Sequence, residues 1–315
     1  MKLAFLYAGQ GSQHPGMGQS LYETYPEFRA VFDAAGLDFD LKTTCFTDPD
    51  GVLNETRYTQ PCMVAFAAGA TAVLYAHGIR PAYAAGLSLG EYSALHAAGV
   101  FDAKTAIELA AFRGRAMARA AEGIASAMTA VLGLDEDALQ RCCAEAAGLG
   151  VVQICNHNCP GQLVIGGIAP AVERAAELAK AAGAKRCLPL KVSGPFHTSL
   201  MRPAGDALAE RFAGMVFGPM DFPVLFNCLG QEKAPRDQIP LLLEQQVQSP
   251  VYMEQTIRRL AALGVDTVIE IGPGRALSGF VRRTVGDAVR CYPVETALEM
   301  ASLFESLKGG MQDAG

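Results

Sequence analysis

A single serine between two glycines gives the clearest chemical signal in this sequence. Ser88 lies in GLSLGEYSA, residues 86–94, with Gly86 two residues before it and Gly90 two residues after it. Ser88 follows an apolar run, AYAAGL, and precedes a helix-forming segment that begins near Glu91. This is the pattern of a nucleophile elbow, a sharp strand-to-helix turn with which a side chain at either glycine would collide. We therefore interpret Ser88 as a nucleophile rather than as an incidental serine in a glycine-rich turn.

A serine hydroxyl is a weak nucleophile and needs a neighbouring base. The sequence offers five histidines, at positions 14, 77, 96, 157 and 197. His197, in VSGPFHTSL, follows a predicted strand and precedes a predicted helix, which is where α/β enzymes display catalytic groups. It also follows the serine along the chain, as the base does in the elbow class. His197 is therefore the predicted base, and a purely structural histidine is the alternative.

Composition limits the classes of function. The chain has 315 residues, half of them hydrophobic, and a net charge of −6, which disfavours neutralisation of nucleic-acid phosphates. No apolar run reaches the length needed to span a bilayer, so a membrane partner is not predicted. Nine cysteines without a repeated spacing are typical of reduced thiols in a cytoplasmic protein.

One cysteine cluster, CNHNC at residues 155–159, could in principle bind a metal. The sequence provides no second ligand pair at a suitable spacing, and tetrahedral zinc needs four ligands. We therefore predict no metal site.

Strands that alternate with helices predict an α/β fold with a parallel sheet covered on both faces. Residues 124–193 instead follow the order β-α-β-β-α-β, which is typical of a ferredoxin-like subdomain inserted into the larger unit. The predicted division is thus a large subdomain of residues 1–123 and 194–315 and a small subdomain of residues 124–193. Two further predictions are a single amphipathic helix over LYETYPEFRAVFDAAG and a strand over FPVLFNCLG.

Several motifs, taken together and in order, resemble those of malonyl-CoA:acyl carrier protein transacylases and, more broadly, the acyltransferase domains of fatty-acid and polyketide synthases. The resemblance covers nearly the whole chain, and the family's architecture is an α/β-hydrolase-like core with an inserted ferredoxin-like subdomain. The motifs are GQGSQ (9–13), TQP (59–61), GLSLGEYSA (86–94), FRGRAM (112–117), NHNCPGQLVIGG (156–167), PFHTSLM (195–201), QVQSPV (246–251) and EIGPG (270–274).

The resemblance implies a role for each matching position. Ser88 would take the acyl group from a coenzyme A thioester, with His197 as base and then acid, and the histidine would be oriented by a backbone carbonyl at Gln246. The backbone N–H groups of Leu89 and Gln10 would form the oxyanion hole. Further matches are Arg113, for the malonyl carboxylate, and Gln60, Asn156 and Asn158, for the region around the substrate.

Two positions depart from the family pattern. Leu87 stands where many members have histidine, and Phe196 stands where some have serine. Neither change removes a residue of the dyad or an oxyanion donor. We expect Phe196 to line the acyl pocket and to favour malonyl over branched acyl groups.

The implied function is transfer of a malonyl group from malonyl-CoA to the phosphopantetheine thiol of an acyl carrier protein, with no permanently bound cofactor. The sequence leaves three alternatives: a trans-acting polyketide acyltransferase with other acyl specificity, an acyl-thioester hydrolase, and a non-catalytic docking subunit with the same fold. Intact Ser88, His197 and GQGSQ disfavour the last of these.

Overall fold

The computed structural model describes the backbone of residues 1–312 and the side chains of residues 1–308. The strands are β1 (Leu3–Tyr7), β2 (Tyr83–Gly86), β3 (Ser126–Leu132), β4 (Val152–Cys159), β5 (Gln162–Ile168), β6 (Arg186–Pro189), β7 (Leu225–Phe226), β8 (Gln231–Glu232), β9 (Val251–Tyr252), β10 (Thr267–Ile271) and β11 (Arg290–Val294). The helices are α1 (Gln19–Thr24), α2 (Pro26–Ala34), α3 (Leu41–Phe46), α4 (Thr56–Ala76), α5 (Gly90–Ala97), α6 (Ala103–Ala121), α7 (Glu136–Ala146), α8 (Ala169–Ala181), α9 (Arg202–Phe212), α10 (Ile239–Gln246), α11 (Met253–Ala262), α12 (Ala276–Val285) and α13 (Ala297–Gln312).

The first sheet is parallel, with the strand order β11-β10-β1-β2. Every residue of β1 and of β10 is buried, as expected for parallel strands that helices cover on both faces. Tyr7 at the end of β1 is in register with Gly86 at the end of β2 and with Ile271 at the end of β10. The loops that follow these three strands therefore leave the same edge of the sheet. The predicted α/β fold with a parallel sheet is confirmed.

The second sheet has the order β6-β3-β5-β4-β9. Strands β3 to β6 pair antiparallel, whereas β9 pairs parallel with β4. Between residues 124 and 193 the elements follow the sequence β3-α7-β4-β5-α8-β6, and α7 and α8 bury their apolar residues in one cluster with the sheet. Because β9 belongs to a later part of the chain, this sheet is not made by residues 124–193 alone.

Helix α4 corrects one expectation from the sequence. It is long and apolar enough to cross a membrane by length and composition, and it is the one such helix among the described residues. In the structure, 83% of its apolar window is buried inside the protein, where it packs against α2 and α6. The apolar run is therefore explained by its position in the core.

The helix predicted over LYETYPEFRAVFDAAG is in fact two helices. Helix α1 ends at Thr24 and α2 begins at Pro26, and Tyr25 between them is extended, with φ −111° and ψ 116°. Proline disfavours helical backbone at the residue before it and is well suited to the first position of a helix. The break at Tyr25 follows from this preference.

Candidate active site

Ser88 lies in the turn between β2 and α5, in a backbone conformation that few residues other than glycine adopt. Its φ is +52°. A Cβ added at Gly86 would lie 2.0 Å from the carbonyl carbon of Gly90, and one added at Gly90 would lie 2.3 Å from the carbonyl oxygen of Tyr7. The chain can make this turn only because both flanking positions lack side chains.

The structure brings Ser88 and His197 together from positions 109 residues apart. Ser88 Oγ lies 2.6 Å from His197 Nε2. His197 Nδ1 lies 2.8 Å from the backbone oxygen of Gln246. A carbonyl can only accept, so Nδ1 carries the ring proton of the neutral imidazole and Nε2 is left to accept the serine proton.

The surroundings keep this imidazole neutral. Burial, followed by the nearby positive charge of Arg113, lowers the pKa of His197 to about 4. The ring is therefore unprotonated near pH 7 and is free to take a proton from the serine hydroxyl.

The buried side chain of Arg113, on α6, also reaches the hydroxyl of Ser88. It is 1% exposed, and its Nη2 donates to Ser88 Oγ at 3.2 Å. Its other hydrogen bonds go to side-chain amides, from Nη1 to Gln60 Oε1 at 2.8 Å and from Nη2 to Gln246 Oε1 at 2.9 Å. Within the described residues, Arg113 Nε has no hydrogen-bond partner, and the hydrogen bonds of the guanidinium go to two amides and a hydroxyl rather than to a carboxylate.

The loop after β1 closes the other side of the turn. A Cβ at Gly9 would lie 2.5 Å from the carbonyl oxygen of Leu87, so the GQGSQ loop packs directly on the elbow. The Gln10 side chain is turned away and donates to Thr56 Oγ1 at 3.0 Å. In residues 1–312, no hydrogen-bond acceptor is found for the backbone N–H of Gln10 or of Leu89. Both groups remain available to a ligand.

Ser88, His197 and Arg113 border a pocket of about 190 Å³. Phe196 forms part of its wall and is 7% exposed, and Asn156 and Asn158 reach it from β4. The Asn158 Oδ1 atom is buried and has no donor among the described residues. Gln60 does not line the pocket but lies behind Arg113. A larger groove, of about 610 Å³ between the end of α4 and α13, contains none of the predicted site residues.

The CNHNC stretch does not gather its side chains around one point. Cys155 and Cys159 belong to different apolar clusters, and the His157 ring stacks on Tyr252 with centroids 4.8 Å apart. Over the described part of the chain, no group of three potential metal-binding side chains was found.

Two polar residues that the sequence analysis did not select lie directly behind the turn. Asn227 Oδ1 accepts a hydrogen bond from the backbone N–H of Ser88 at 2.6 Å, and Asn227 in turn contacts Glu91, which is fully buried. Burial raises the pKa of Glu91 to about 7. Asn227 lies within the predicted strand FPVLFNCLG, of which only Leu225–Phe226 form β7. A polar residue inside an apolar run was the available signal.

Residues 4–303 match the acyl transferase domain family. A malonyl CoA-acyl carrier protein transacylase from Bacillus subtilis (strain 168) is 42% identical over 285 residues, 90% of each chain. The solved structure of a malonyl CoA-acyl carrier protein transacylase from Clostridium perfringens has a TM-score of 0.95 at 36% identity and covers 100% of this chain and 99% of its own. A solved complex of a malonyl-transacylase with its type II PKS acyl-carrier protein has a TM-score of 0.93 at 38% identity. The match covers 97% of this chain and 100% of the matched chain. This chain therefore belongs to the acyl transferase domain family, among its malonyl CoA-acyl carrier protein transacylases.

Proposed function

We propose that this chain is an [acyl-carrier-protein] S-malonyltransferase that works through a malonyl ester on Ser88. Malonyl-CoA is the donor, and the phosphopantetheine thiol of an acyl carrier protein is the acceptor. The observation that carries the proposal is the 2.6 Å contact of Ser88 Oγ with a neutral, oriented His197, beside a buried arginine. Family membership supports the same reaction.

In the first half-reaction, Ser88 Oγ bonds to the thioester carbonyl carbon while its proton passes to His197 Nε2. The carbonyl oxygen becomes an oxyanion, which the free N–H groups of Gln10 and Leu89 stabilise; one such donor contributes about 3 kcal/mol. Collapse of this intermediate breaks the carbon–sulfur bond. The histidine gives its proton to the sulfur, and coenzyme A leaves as the free thiol.

The second half-reaction runs the same steps with a different thiol. The carrier's thiol loses its proton to His197 Nε2 and attacks the ester carbonyl. The ester bond to Ser88 breaks, and the proton returns to Ser88 Oγ. The carbonyl of Gln246 keeps the imidazole in one tautomer throughout and places no second negative charge beside it.

The acyl group is selected by Arg113 together with the pocket wall. The guanidinium can accept a carboxylate through two parallel hydrogen bonds once it exchanges its amide partners. Asn156 and Asn158 contribute polar groups around the bound thioester, and Gln60 holds the arginine in place. The ring of Phe196 narrows the pocket against acyl groups branched next to the thioester.

We also propose the finer architecture. The parallel sheet and its helices form an α/β-hydrolase-like core of residues 1–123 and 194–315. Residues 124–193 form an inserted ferredoxin-like subdomain, a reading supported by the spatial strand order β6-β3-β5-β4. No resident cofactor is proposed, and the nine free cysteines support a cytoplasmic location.

The test is intact-protein mass spectrometry after mixing with malonyl-CoA, in parallel with methylmalonyl-CoA and acetyl-CoA. We expect a malonyl adduct on the wild-type protein, its absence in Ser88→Ala, and its loss when an acyl carrier protein with its phosphopantetheine arm is added. A wild-type protein that never acquires the adduct would exclude the mechanism.

The same mixture separates transfer from hydrolysis. A transferase releases little free malonate and loads the carrier protein, whereas a hydrolase releases malonate at the same rate with and without the carrier. Comparing carrier proteins of fatty-acid and polyketide synthesis identifies the pathway that this chain serves.

A further inference from the structure

Side-chain amides hold both backbone polar atoms of the proposed nucleophile. The N–H of Ser88 donates to Asn227 Oδ1 at 2.6 Å, and the carbonyl of Ser88 accepts from Gln246 Nε2 at 2.8 Å. A residue with a Cβ is disfavoured at a φ of +52°, so such a conformation persists only where its surroundings over-determine it. The hydrogen bonds from these two side-chain amides hold the Ser88 backbone in this conformation.

Asn227 also fastens the two segments that flank the nucleophile. Its Nδ2 donates to the carbonyl of Gly86 at 2.7 Å, at the end of β2, and to Glu91 Oε2 at 2.6 Å, in the first turn of α5. One side chain thus joins the strand, the turn and the helix. No other residue described in this structure has hydrogen bonds to all three.

Glu91 determines which way the Asn227 amide faces. Its Oε2 accepts from both the backbone N–H and the Nδ2 of Asn227, each at 2.6 Å. Because this oxygen accepts from a backbone N–H, it is an acceptor for the side chain too, so the NH₂ end of Asn227 must face Glu91 and the oxygen end must face Ser88. Reversing the amide would place its oxygen against two acceptors, Glu91 and the carbonyl of Gly86.

We propose that Asn227 is a positioning residue for the nucleophile and that Glu91 acts by fixing the orientation of its amide. The proposal rests on the proposed function of Ser88 and adds to it. Without this anchor, Ser88 can relax toward negative φ, which moves Oγ away from His197 and turns the N–H of Leu89 away from the oxyanion. A misplacement of about 1 Å in an active site lowers the rate on the order of 100-fold.

The test variant is Asn227→Asp, which keeps the shape of the side chain but replaces the NH₂ donor by an oxygen. We expect kcat for malonyl transfer to fall at least about 30-fold, with KM for malonyl-CoA within about threefold of wild type, because the pocket wall is unchanged.

A second readout does not need malonyl-CoA. A fluorophosphonate probe reacts with activated serines, and its labelling rate at Ser88 should fall in Asn227→Asp in parallel with kcat. Labelling of wild type without any malonyl adduct would exclude the proposed function alone. Labelling and kcat in Asn227→Asp equal to wild type would exclude the role of Asn227 alone.

A control separates positioning from stability. Thr71→Val removes a buried hydrogen bond to the hydroxyl of Tyr7, 2.9 Å long, that lies between α4 and β1. It should lower the thermal midpoint but keep kcat within about twofold. If Asn227→Asp does not fold, kcat and the labelling rate can be measured on Asn227→Ala instead, which adds no charge. A drop in kcat that follows the thermal midpoint in all variants, including Thr71→Val, would overturn the proposal.

Discussion

Arg113 is a buried cation whose partners in this structure are neutral amides and a hydroxyl. Burial lowers the pKa of its guanidinium, but arginine side chains stay charged in proteins. Glu91 attracts this charge without bonding to it. A carboxylate that enters the pocket and pairs directly with the guanidinium lowers the cost of burying the charge. The burial of Arg113 therefore favours a dicarboxylic acyl group over a neutral one.

This argument predicts the effect of Arg113→Ala. We expect kcat/KM for malonyl-CoA to fall by about 100-fold or more, the range of a lost charge-assisted contact, while acetyl transfer falls less than tenfold. Arg113→Lys keeps the charge but not the planar fork, so it should rescue malonyl transfer only in part. Steady-state rates with both donors measure the difference. Equal losses for the two donors would mean that Arg113 does not bind the acyl carboxylate.

The pKa of His197 predicts the pH profile. Since burial and Arg113 lower this pKa to about 4, His197, the proposed base, stays unprotonated down to mildly acidic pH. We expect kcat/KM to be level between about pH 5.5 and 7 and to fall as the pH drops through about 4. An unperturbed histidine would give a fall near 6.5 instead. His96→Gln, which removes another histidine with a lowered pKa, should leave the position of the fall unchanged.

The free energy of unfolding should also depend on pH through the titration of His197, and the direction follows from its lowered pKa. In the unfolded chain His197 binds a proton below about pH 6.5, whereas in the folded chain it binds one only below about 4. The unfolded state therefore holds more protons between these values, and the free energy of unfolding decreases as the pH is lowered from 6.5 to 4.

At the residue scale, the sequence was enough to select the proposed catalytic side chains but not the polar side chain that contacts the backbone of Ser88. Ser88 and His197 were selected from their spacing and chain order, and the structure places them in contact. Asn227 was hidden because its neighbours Leu225 and Phe226 are buried and apolar, so it was assigned to a strand. The role proposed for Asn227 depends on its contact with Ser88, 139 residues away along the chain, which no local pattern contains.

At the scale of elements, we expect the turn between β2 and α5 to require glycine at positions 86 and 90, because a Cβ at either position would overlap backbone atoms. Gly86→Ala would place a methyl group 2.0 Å from the Gly90 carbonyl carbon. Since backbone cannot yield as a side chain does, we expect a loss of more than about 3 kcal/mol in the free energy of unfolding, together with loss of acylation. Chemical denaturation measures the first and the adduct assay the second.

The matched control is Gly279→Ala in α12, where an added Cβ meets nothing within 4 Å. It should be neutral or stabilise the protein by about 0.4–1 kcal/mol, because alanine favours the helix and restricts the unfolded chain. If Gly86→Ala behaved like Gly279→Ala, the tight turn would not exist in solution.

The boundaries of elements were predictable where one residue decides them and not where tertiary contacts do. Asp135 decides where α7 begins: aspartate is a preferred N-cap, and its side chain accepts from the backbone N–H of Ala138 at 2.8 Å. The break before Pro26 was encoded by the proline itself and was overlooked under the strong apolar periodicity. Strand β9, by contrast, has two residues and exists because β4 offers it an edge.

At the scale of the whole molecule, β9 links strand β4 of the second sheet to Asn227, which lies behind the turn that carries Ser88. Tyr252 in β9 donates its backbone N–H to the carbonyl of Asn227 at 2.9 Å, and its ring stacks on His157 of β4. Strand β4 also carries Asn156 and Asn158 in the pocket wall. A continuous set of contacts therefore sets the distance between the elbow on the parallel sheet and the wall on the second sheet.

This arrangement predicts that Tyr252→Ala acts on binding more than on chemistry. Removing the ring loses a stacking contact of about 0.5–1.5 kcal/mol and leaves β4 less well fixed against the core, while the backbone contact to Asn227 can remain. We expect KM for malonyl-CoA to rise about three- to tenfold with kcat within about twofold. Tyr252→Phe keeps the stacked ring and should behave as wild type in both constants. A fall in kcat at unchanged KM in Tyr252→Ala would instead mean that β9 supports the nucleophile rather than the pocket wall.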